Sequence, residues 1–346
     1  MISFNNDYSE GAHLNIIQAL TRTNLEQTDG YGEDPYSLKA YEKIKKSLNC
    51  EDCHIRFLVG GTQTNLVVIS HLLKPYQAVI SSDIGHINVH ETGAIEGSGH
   101  KVLVTAKGVD GKLNPKLIQE VLDFHTDAHM VQPKMVYISN PNEIGALYTK
   151  DELEKIYSFC KEKNLYFYID GARLSSALAS IKNDINLSDY KNLCDVLYIG
   201  GTKSGALFGE AVVFFNKNLI DDFQFSIKLR GALLAKGRLL GIQFDELFTD
   251  NLYIKCGEHA NKTALKLKEV FVENNIKLIT DSYTNQLFLI FSNNMIKEIE
   301  KKYKFSLIGK YDESHSVVRF VTSWATKEEN VNSFIKDFNE NYKFIK

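Results

Sequence analysis

Two short segments carry charged residues at the ends of apolar, β-rich runs. The first, YFYIDGAR (166–173), contains Asp170 and Arg173, and the second, LYIGGTKSG (197–205), contains Lys203. A lysine can form a Schiff base with an aldehyde, and a carboxylate can keep a pyridine nitrogen protonated so that the ring withdraws electrons from a carbanion. Each segment alone is also typical of an ordinary turn or a solvated loop. Together they predict a pyridoxal phosphate site, with Lys203 as the Schiff-base lysine and Asp170 as the pyridinium partner.

Two further motifs could serve the same cofactor. Gly60–Gly61–Thr62 follows a predicted strand and opens a predicted helix, where backbone N–H groups can bind a phosphate. The alternative is a plain turn with Thr62 as the N-cap. His86, five residues before Glu91, could stack on a pyridine ring or be an ordinary loop or core histidine.

Two arginines are candidates for binding a substrate carboxylate. Arg173 follows Asp170 closely enough to hold that side chain, a cofactor oxygen or the substrate. Arg319 lies inside an apolar strand, HSVVRFVTSWAT, where a guanidinium must be paired. The pairing could be an internal salt bridge or a bidentate clamp on the carboxylate of an amino acid.

The elements that must position these residues alternate between strand and helix from about residue 55. Predicted helices are Thr62–Leu73, Asn114–Phe124 and Lys150–Lys163, and predicted strands are Ile55–Val59, Ala78–Ser81, Lys101–Val104, Lys134–Ser139, Leu165–Ile169 and Val196–Ile199. This alternation predicts an α/β fold with a mostly parallel sheet and helices on both faces. Ligands of such sheets bind at the carboxyl ends of the strands, where the candidate segments fall.

The chain is long enough for a large domain and a smaller one. After an apolar run at Glu210–Phe215, a helical sequence pattern continues to about Leu240. A long helical stretch from Phe244 to Asn274 is typical of a helix that connects two domains. The remainder predicts a small α+β domain, with strands near Gln286–Phe291 and Val317–Thr322 and helices around Asn294–Tyr303 and Glu328–Asn341. We therefore expect a cofactor-binding domain at 1–244 and a small C-terminal domain at 245–346.

Composition argues against several classes of partner. The net charge is −3, with acidic and basic residues mixed along the chain, so neither a nucleic acid nor a membrane surface is expected as a partner. No apolar run could span a bilayer and the N-terminus is not typical of a secretory leader, so a cytoplasmic location is expected. Cys50 and Cys53 form a C-x-x-C, but no second pair completes a zinc site, and no metal site is predicted.

Beyond these separate patterns, the chain resembles the low-specificity L-threonine aldolases of the β-eliminating lyase group, which are fold type I pyridoxal phosphate enzymes. The motifs that carry the resemblance run nearly end to end. They are YGEDP (31–35), the GGT turn, H-x-x-x-x-E (86–91), HMVQPK (129–134), DGAR, GGTKSGALFGEA (200–211) and VRFVTSWAT (318–326).

The resemblance implies roles for individual residues. It makes Lys203 the Schiff-base lysine and Asp170 the pyridinium partner. It further implies that His86 stacks on the ring, that Gly61 and Thr62 bind phosphate, and that Arg173 and Arg319 bind the substrate carboxylate. His129 corresponds to a second histidine that assists catalysis near the substrate hydroxyl, and Lys228 to a basic residue that reaches the site from a neighbouring subunit. A homo-oligomer, dimer or tetramer, with shared active sites is therefore implied.

Some positions depart from the family pattern. Asn6 replaces a serine whose hydroxyl helps to hold the substrate carboxylate, so Asn6 is the candidate at that position. The usual Glu-Asn-Thr after the central strand is Ser139–Asn140–Pro141, and the segment 231–235 lacks a phosphate-binding arginine, for which Lys236 could compensate. These changes leave the cofactor chemistry intact and the substrate preference open.

The reaction implied is retro-aldol cleavage of L-threonine, L-allo-threonine and related β-hydroxy-α-amino acids to glycine and an aldehyde. His86, His129 or a bound water could take the proton of the β-hydroxyl. The alternative on the same scaffold is β-elimination or racemisation of another amino acid, which breaks a different bond at Cα. A non-catalytic protein that keeps the fold and the cofactor is the alternative outside enzymes.

Overall fold

The chain forms twelve strands and thirteen α-helices over residues 1–345, which are the residues that this computed structural model describes. The strands are β1 (Ile2–Ser3), β2 (His54–Leu58), β3 (Gln77–Ser81), β4 (Val102–Val104), β5 (Gln132–Ser139), β6 (Tyr166–Gly171), β7 (Val196–Gly200), β8 (Glu210–Phe214), β9 (Gln286–Ser292), β10 (Tyr303–Lys304), β11 (Ser306–Lys310) and β12 (His315–Val321). The helices are α1 (Leu14–Thr23), α2 (Pro35–Leu48), α3 (Gly61–Leu72), α4 (His86–Val89), α5 (Ala94–Gly97), α6 (Pro115–Phe124), α7 (Lys150–Glu162), α8 (Leu174–Leu178), α9 (Phe223–Leu229), α10 (Arg238–Leu247), α11 (Leu252–Glu273), α12 (Asn293–Ile299) and α13 (Glu328–Asp337).

The central sheet has seven strands in the order β2-β8-β7-β6-β5-β3-β4. Strands β3 to β7 pair in parallel, as the alternation of strand and helix in the sequence predicts. Strand β8 runs antiparallel to both of its neighbours, β7 and β2. The mostly parallel sheet is thus confirmed, and the reversal at β8 is a feature that the sequence pattern did not predict.

Side chains of the parallel strands alternate between two buried faces. One face takes Ile138, Ile169 and Ile199, and the other takes Tyr137, Tyr168 and Tyr198. The tyrosine face is covered by α3 and α9, whose apolar side chains belong to the same core cluster. Asp170 follows Tyr168 by two residues, so its side chain belongs to this face and points toward α3.

Local sequence signals explain where several elements begin and end. Helix α7 begins after Thr149, whose hydroxyl accepts a hydrogen bond from the amide of Glu152 while the Glu152 carboxylate accepts one from the amide of Thr149. The helix predicted from Phe244 to Asn274 is in fact two helices, α10 and α11. Asp250 and Asn251 separate them in left-handed conformations, with φ of 50° and 60°, which residues of these types adopt more readily than most.

A second, antiparallel sheet of order β11-β12-β9 forms near the C-terminus. Its core is aromatic, with Phe271 of α11 and Phe334 of α13 packed against Phe291 and Phe320. Strand β11 was not predicted because most of its side chains are exposed and show no apolar alternation. The helix predicted to reach Tyr303 ends at Ile299, and Tyr303 belongs to β10 instead.

The first residues of the chain pack with the C-terminal part of the structure. Strand β1 pairs in parallel with β10, and Phe4 is fully buried in the aromatic core beside Phe320 and Phe334. Residues 2–4 therefore form an N-terminal arm that packs away from the body of the predicted 1–244 domain. The apolar side chains of α11 cross from the larger core to the smaller one between Cys256 and Ala264, and the boundary at 245 stays a prediction.

Within residues 1–345, none of the helices combines the length and the apolar character that crossing a bilayer requires.

Candidate active site

A cavity of about 230 Å³ lies at the carboxyl ends of the parallel strands. This is the edge at which the sequence pattern places the candidate residues. Of the predicted site residues, those that line the cavity are Gly61, Thr62, His86, Asp170, Arg173 and Lys203. The structure thus brings together residues that the sequence holds on four separate segments.

The buried carboxylate of Asp170 accepts three hydrogen bonds. The amide of Ala172 donates to Oδ1 at 2.8 Å, and the hydroxyl of Tyr137 and the side-chain amide of Asn65 donate to Oδ2 at 2.7 and 3.1 Å. Donors of this kind stabilise the charged form of a carboxyl group. A buried carboxylate at the cavity wall suits a cationic partner such as a protonated pyridine nitrogen.

A hydrogen-bonded chain connects Asp170 to His86. The side-chain amide of Asn65 also donates to Glu91 Oε1 at 2.7 Å, and the same oxygen lies 2.7 Å from His86 Nδ1. The hydroxyl of Tyr168 donates to Asn65 Oδ1 at 2.7 Å and so fixes the orientation of the amide. Sequence reasoning included Glu91 only as the end of a motif and gave Asn65 no role, although the GGTQTN segment places Asn65 on the first turn of α3.

Lys203 lies in the cavity wall with a free amine. Within residues 1–345, no hydrogen bond or ion pair ends on its Nζ. Burial lowers the pKa of the Lys203 amine, and the charge of Arg173 adds to the effect, while the nearby carboxylates oppose it. A lowered pKa increases the fraction of neutral amine, which is the form that attacks a carbonyl group.

A second buried carboxyl group, Glu210, lies beside Lys203. Its Oε1 accepts a hydrogen bond from the hydroxyl of Thr202 at 2.7 Å, and its Oε2 accepts one from the amide of Gly201 at 3.0 Å. Burial raises the pKa of Glu210 to about 7. Sequence reasoning missed this residue because, at the start of β8, it had no pattern that separates it from an ordinary strand residue.

Arg173 is held by an acidic residue from the N-terminal segment. Its Nε and Nη2 donate to the two oxygens of Asp7 at 2.6 and 3.0 Å, and the side-chain amide of Asn285 also donates to Asp7, at 2.9 Å. Burial alone would raise the pKa of Asp7, but the charges of Arg173 and Lys203 outweigh it and lower that pKa. The sequence allowed Arg173 to hold Asp170 instead, and the structure assigns the ion pair to Asp7.

Arg319 provides a second guanidinium close to the first. Its Nη2 donates to the hydroxyl of Ser306 at 3.3 Å and to the carbonyl of Asn5 at 3.5 Å, and its buried Nε has no hydrogen-bond partner among the described residues. Burial lowers the pKa of Arg319, and the positive charge of Arg173 acts in the same direction. No salt bridge holds Arg319 within residues 1–345, so the internal ion pair that the sequence allowed is not formed, and the role as a clamp for a carboxylate stays a prediction.

Three other predicted site residues lie away from the cavity. Asn6 folds back on its own segment, where its Oδ1 accepts hydrogen bonds from the amide of Tyr8 at 3.1 Å and the hydroxyl of Ser9 at 2.8 Å. Lys228 is exposed on α9, with its Nζ 5.2 Å from the centre of the Tyr31 ring.

His129 is exposed and precedes β5, at the edge of the sheet opposite the cavity. The seven steps of that strand separate the two edges by about 23 Å, at roughly 3.3 Å per residue. The prediction that His129 assists catalysis is therefore not supported by its position in the chain. Asn142 lines the cavity, whereas His129 does not.

The residues at the other end of the cavity suit a phosphate group. Helix α3 begins at Gly61, and its first turn presents backbone N–H groups to the cavity beside Gly60 and Thr62. A Cβ atom at Gly61 would lie only 2.9 Å from the hydroxyl of Tyr198, so a larger residue would displace that ring. Together with the buried carboxylate of Asp170 and the free amine of Lys203, this cradle fits pyridoxal phosphate.

No group of three or more histidine, cysteine, aspartate or glutamate side chains within residues 1–345 is arranged to hold a metal ion. All five cysteines are free thiols, Cys50 and Cys53 included.

The chain is similar to known proteins over most of its length. The family profile described as "Beta-eliminating lyase" matches residues 13–294. A curated low-specificity L-threonine aldolase from Pseudomonas sp. is 32% identical over 339 residues, which cover 96% of each chain. A threonine aldolase structure from Leishmania major is 46% identical, with a TM-score of 0.96 over 98% of this chain and 99% of that one.

More distant structures share only the fold. An aspartate aminotransferase from Thermus thermophilus is 15% identical, with a TM-score of 0.73 over 98% of this chain and 91% of the other. Such a match indicates the fold type I architecture that the resemblance implied. With the family profile covering most of its length and relatives that align nearly end to end, the chain belongs to the beta-eliminating lyase family.

Proposed function

We propose that this protein is a pyridoxal phosphate-dependent aldolase that cleaves L-threonine, L-allo-threonine and related β-hydroxy-α-amino acids to glycine and an aldehyde. One observation carries the proposal: a free lysine, a buried carboxylate and an arginine line the same cavity, at Lys203, Asp170 and Arg173. The named threonine aldolases that align with almost the whole chain support this choice of substrate.

Each residue has a distinct task in this proposal. Lys203 provides the amine that holds the aldehyde of the cofactor, Gly61 and Thr62 hold its phosphate, and Asp170 faces its ring nitrogen, with His86 beside the ring. Bound in this way, the cofactor supplies an electron sink for the bond that breaks.

The two guanidinium groups orient the substrate. Arg173 and Arg319 are close enough for each to affect the other's electrostatics, and Arg319 has an unpartnered buried donor. A substrate carboxylate between them would relieve their mutual repulsion and form charge-assisted hydrogen bonds. Fixing the carboxylate also limits the rotation of the amino acid, which selects the bond at Cα that is aligned for cleavage.

We further propose a homo-oligomer, a dimer or a tetramer, with active sites shared between subunits. Phe225 and Leu229 on α9 are 75% and 82% exposed, and Lys228 lies between them. Exposed apolar side chains grouped on one helix are typical of a surface that a partner covers. This surface would bring Lys228 to the site of a neighbouring copy, in keeping with the role expected from the sequence. The location we propose is the cytoplasm.

The first experiment tests cofactor and reaction together. The purified protein is mixed with pyridoxal phosphate, its absorption spectrum is recorded before and after L-threonine is added, and glycine and acetaldehyde are measured. Lys203→Ala is treated in parallel and should lose both the spectrum of the bound aldehyde and the products. A native spectrum without acetaldehyde, accompanied by ammonia and a keto acid or by a D-amino acid, would favour elimination or racemisation instead. A native protein that binds no pyridoxal phosphate would refute the proposal.

A mixing experiment tests the shared site. If Lys228 acts in the neighbouring subunit, Lys228→Ala and Lys203→Ala proteins that are mixed and allowed to exchange subunits should regain part of the lost activity. Failure to regain activity, in mixtures shown by mass to contain hybrids, would refute sharing through Lys228.

A further inference from the structure

One acidic residue in the cavity has no task in the mechanism described so far. Glu143 lies in the segment that follows β5, and its side chain lines the cavity together with His86, Asp170 and Lys203. No ion pair within residues 1–345 involves it. It is therefore a carboxyl group at the reaction site without a counter-ion.

Two hydrogen bonds fix the position of this carboxyl group. The hydroxyl of Ser139 donates to Glu143 Oε1 at 2.7 Å, and the backbone amide of His86 donates to the same oxygen at 2.8 Å. The second bond joins Glu143 to the first residue of α4, and the side chains of Glu143 and His86 both line the cavity. Because both bonds end on Oε1, the other oxygen is left for a ligand.

Cleavage of a β-hydroxy-α-amino acid needs a group that removes the proton of the hydroxyl. His129 precedes β5, at the edge of the sheet opposite the cavity, and His86, whose Nδ1 contacts Glu91 at 2.7 Å, is assigned to the cofactor ring in the proposed function. We propose that Glu143 is a catalytic residue that accepts the β-hydroxyl proton of the substrate; this inference rests on the proposed aldolase function. The proton passes from the hydroxyl to the carboxylate as the carbonyl of the aldehyde forms. The Cα–Cβ bond breaks, and its electron pair stays with the amino acid fragment, which is then protonated to glycine.

The surroundings of Glu143 suit a group that accepts a proton and later releases it. Burial raises its pKa, the hydroxyl of Ser139 and the backbone amides lower it, and the charge of Asp170 raises it further. The other titratable groups near the Glu143 carboxyl group are His86 on α4, Tyr137 on β5 and Tyr148 between β5 and α7. A carboxyl group with a raised pKa is a better proton acceptor than an ordinary one and can still return the proton to water.

The test compares two reactions of the Glu143→Gln holoenzyme. Glutamine keeps an oxygen that can accept the bonds from Ser139 and His86 but cannot take a proton. Threonine cleavage should fall by about 10²–10⁴-fold, the usual contribution of a general base. Exchange of the glycine Cα proton in D₂O, followed by NMR, involves no β-hydroxyl and should keep its native rate, and the dissociation constant for glycine should be unchanged.

Two further variants sharpen the test. Glu120→Gln makes the same chemical change on an exposed residue of α6 and should match the native enzyme. Ser139→Ala removes one donor to the carboxylate, so the acidic limb of the kcat/KM profile for threonine should move to higher pH, and it should be absent in Glu143→Gln.

Each outcome that contradicts the expectation has its own interpretation. If the native enzyme cleaves threonine and Glu143→Gln cleaves it as fast, the role of Glu143 is refuted while the aldolase function stands. If Glu143→Gln loses glycine exchange and glycine binding as well, the residue is structural and the inference is refuted. If the native enzyme cleaves no β-hydroxy amino acid, the proposed function is refuted and the role of Glu143 with it.

Discussion

Replacing Asp7 by asparagine should destabilise the protein, although Asp7 belongs to no regular helix or strand. The carboxylate is fully buried and receives two hydrogen bonds from Arg173 and one from Asn285. The substitution keeps the shape of the side chain and one acceptor oxygen, but it removes the only negative charge in direct contact with Arg173 within residues 1–345.

The magnitude follows from the burial of the pair. Breaking a buried ion pair by removing one partner costs about 3–5 kcal/mol because the other charge is left uncompensated. Since asparagine keeps part of the hydrogen bonding, we expect a loss of about 3 kcal/mol, which is roughly a hundredfold change in the unfolding equilibrium. In the variant, Asp7 no longer offsets the repulsion among Arg173, Arg319 and Lys203. This lost compensation is the reason that the expected loss stays at about 3 kcal/mol.

Urea unfolding followed by tryptophan fluorescence provides the assay. The only tryptophan, Trp324, lies 5.8 Å from the His13 ring and so reports on the contact between the N-terminal segment and the C-terminal part. Asp29→Asn, at an exposed position, is the matched control. A midpoint for Asp7→Asn no lower than that of the control would refute the reasoning.

The Asp7–Arg173 ion pair also predicts how the free energy of unfolding depends on pH. The pKa of Asp7 is lowered in the folded protein, so its contribution to stability is fully present above the unfolded value of about 3.9 and is lost as the pH falls through the lower folded value. The difference between the native protein and Asp7→Asn should therefore be constant from pH 7 to about 5 and shrink below about 4. A difference that persists unchanged at low pH would show that the charge is not its cause.

Three other changes should have separable effects. Tyr137→Phe removes one of the three bonds to Asp170 and should raise the dissociation constant for pyridoxal phosphate by about tenfold, as expected for a bond to a charged group, in an absorbance titration; an unchanged constant would contradict the role of Asp170. Arg319→Gln should raise KM for threonine by about 10–100-fold and change kcat less, because it removes a carboxylate contact present before and during the reaction. An effect on kcat alone would contradict this. Thr149→Ala should lower the free energy of unfolding by about 1 kcal/mol through loss of the cap of α7 and leave steady-state kinetics unchanged.

The sequence was most informative where a charge ends an apolar strand. Lys203, Asp170 and His86 follow strands that are easily recognised, and parallel strands bring their carboxyl ends to one edge. These positions could therefore be placed in one site before any coordinates were known. The two faces of the sheet were predictable for the same reason, since near-continuous apolar runs mark strands that are covered on both sides.

The residues that complete the site could not be predicted in this way. Asp7 meets Arg173 across 166 positions of the chain, and a short polar segment carries no periodicity that would indicate such a partner. Glu143 and Glu210 derive their properties from burial and from neighbouring donors, which depend on tertiary packing. The role of His129 came from resemblance alone, with no strand end to support it, and it stays a prediction.

The pairing of β1 with β10 has a consequence for the order in which the protein is completed during synthesis. Strand β1 pairs with Tyr303 and Lys304, which follow it by about 300 residues. The N-terminal segment therefore has no strand to pair with until the ribosome has added those residues. At 5–20 residues per second this delay is about 15–60 s, during which the central sheet can already form. Because the same segment delivers Asp7 to Arg173, the nascent chain acquires its carboxylate-binding site only after Tyr303 and its neighbours have been added.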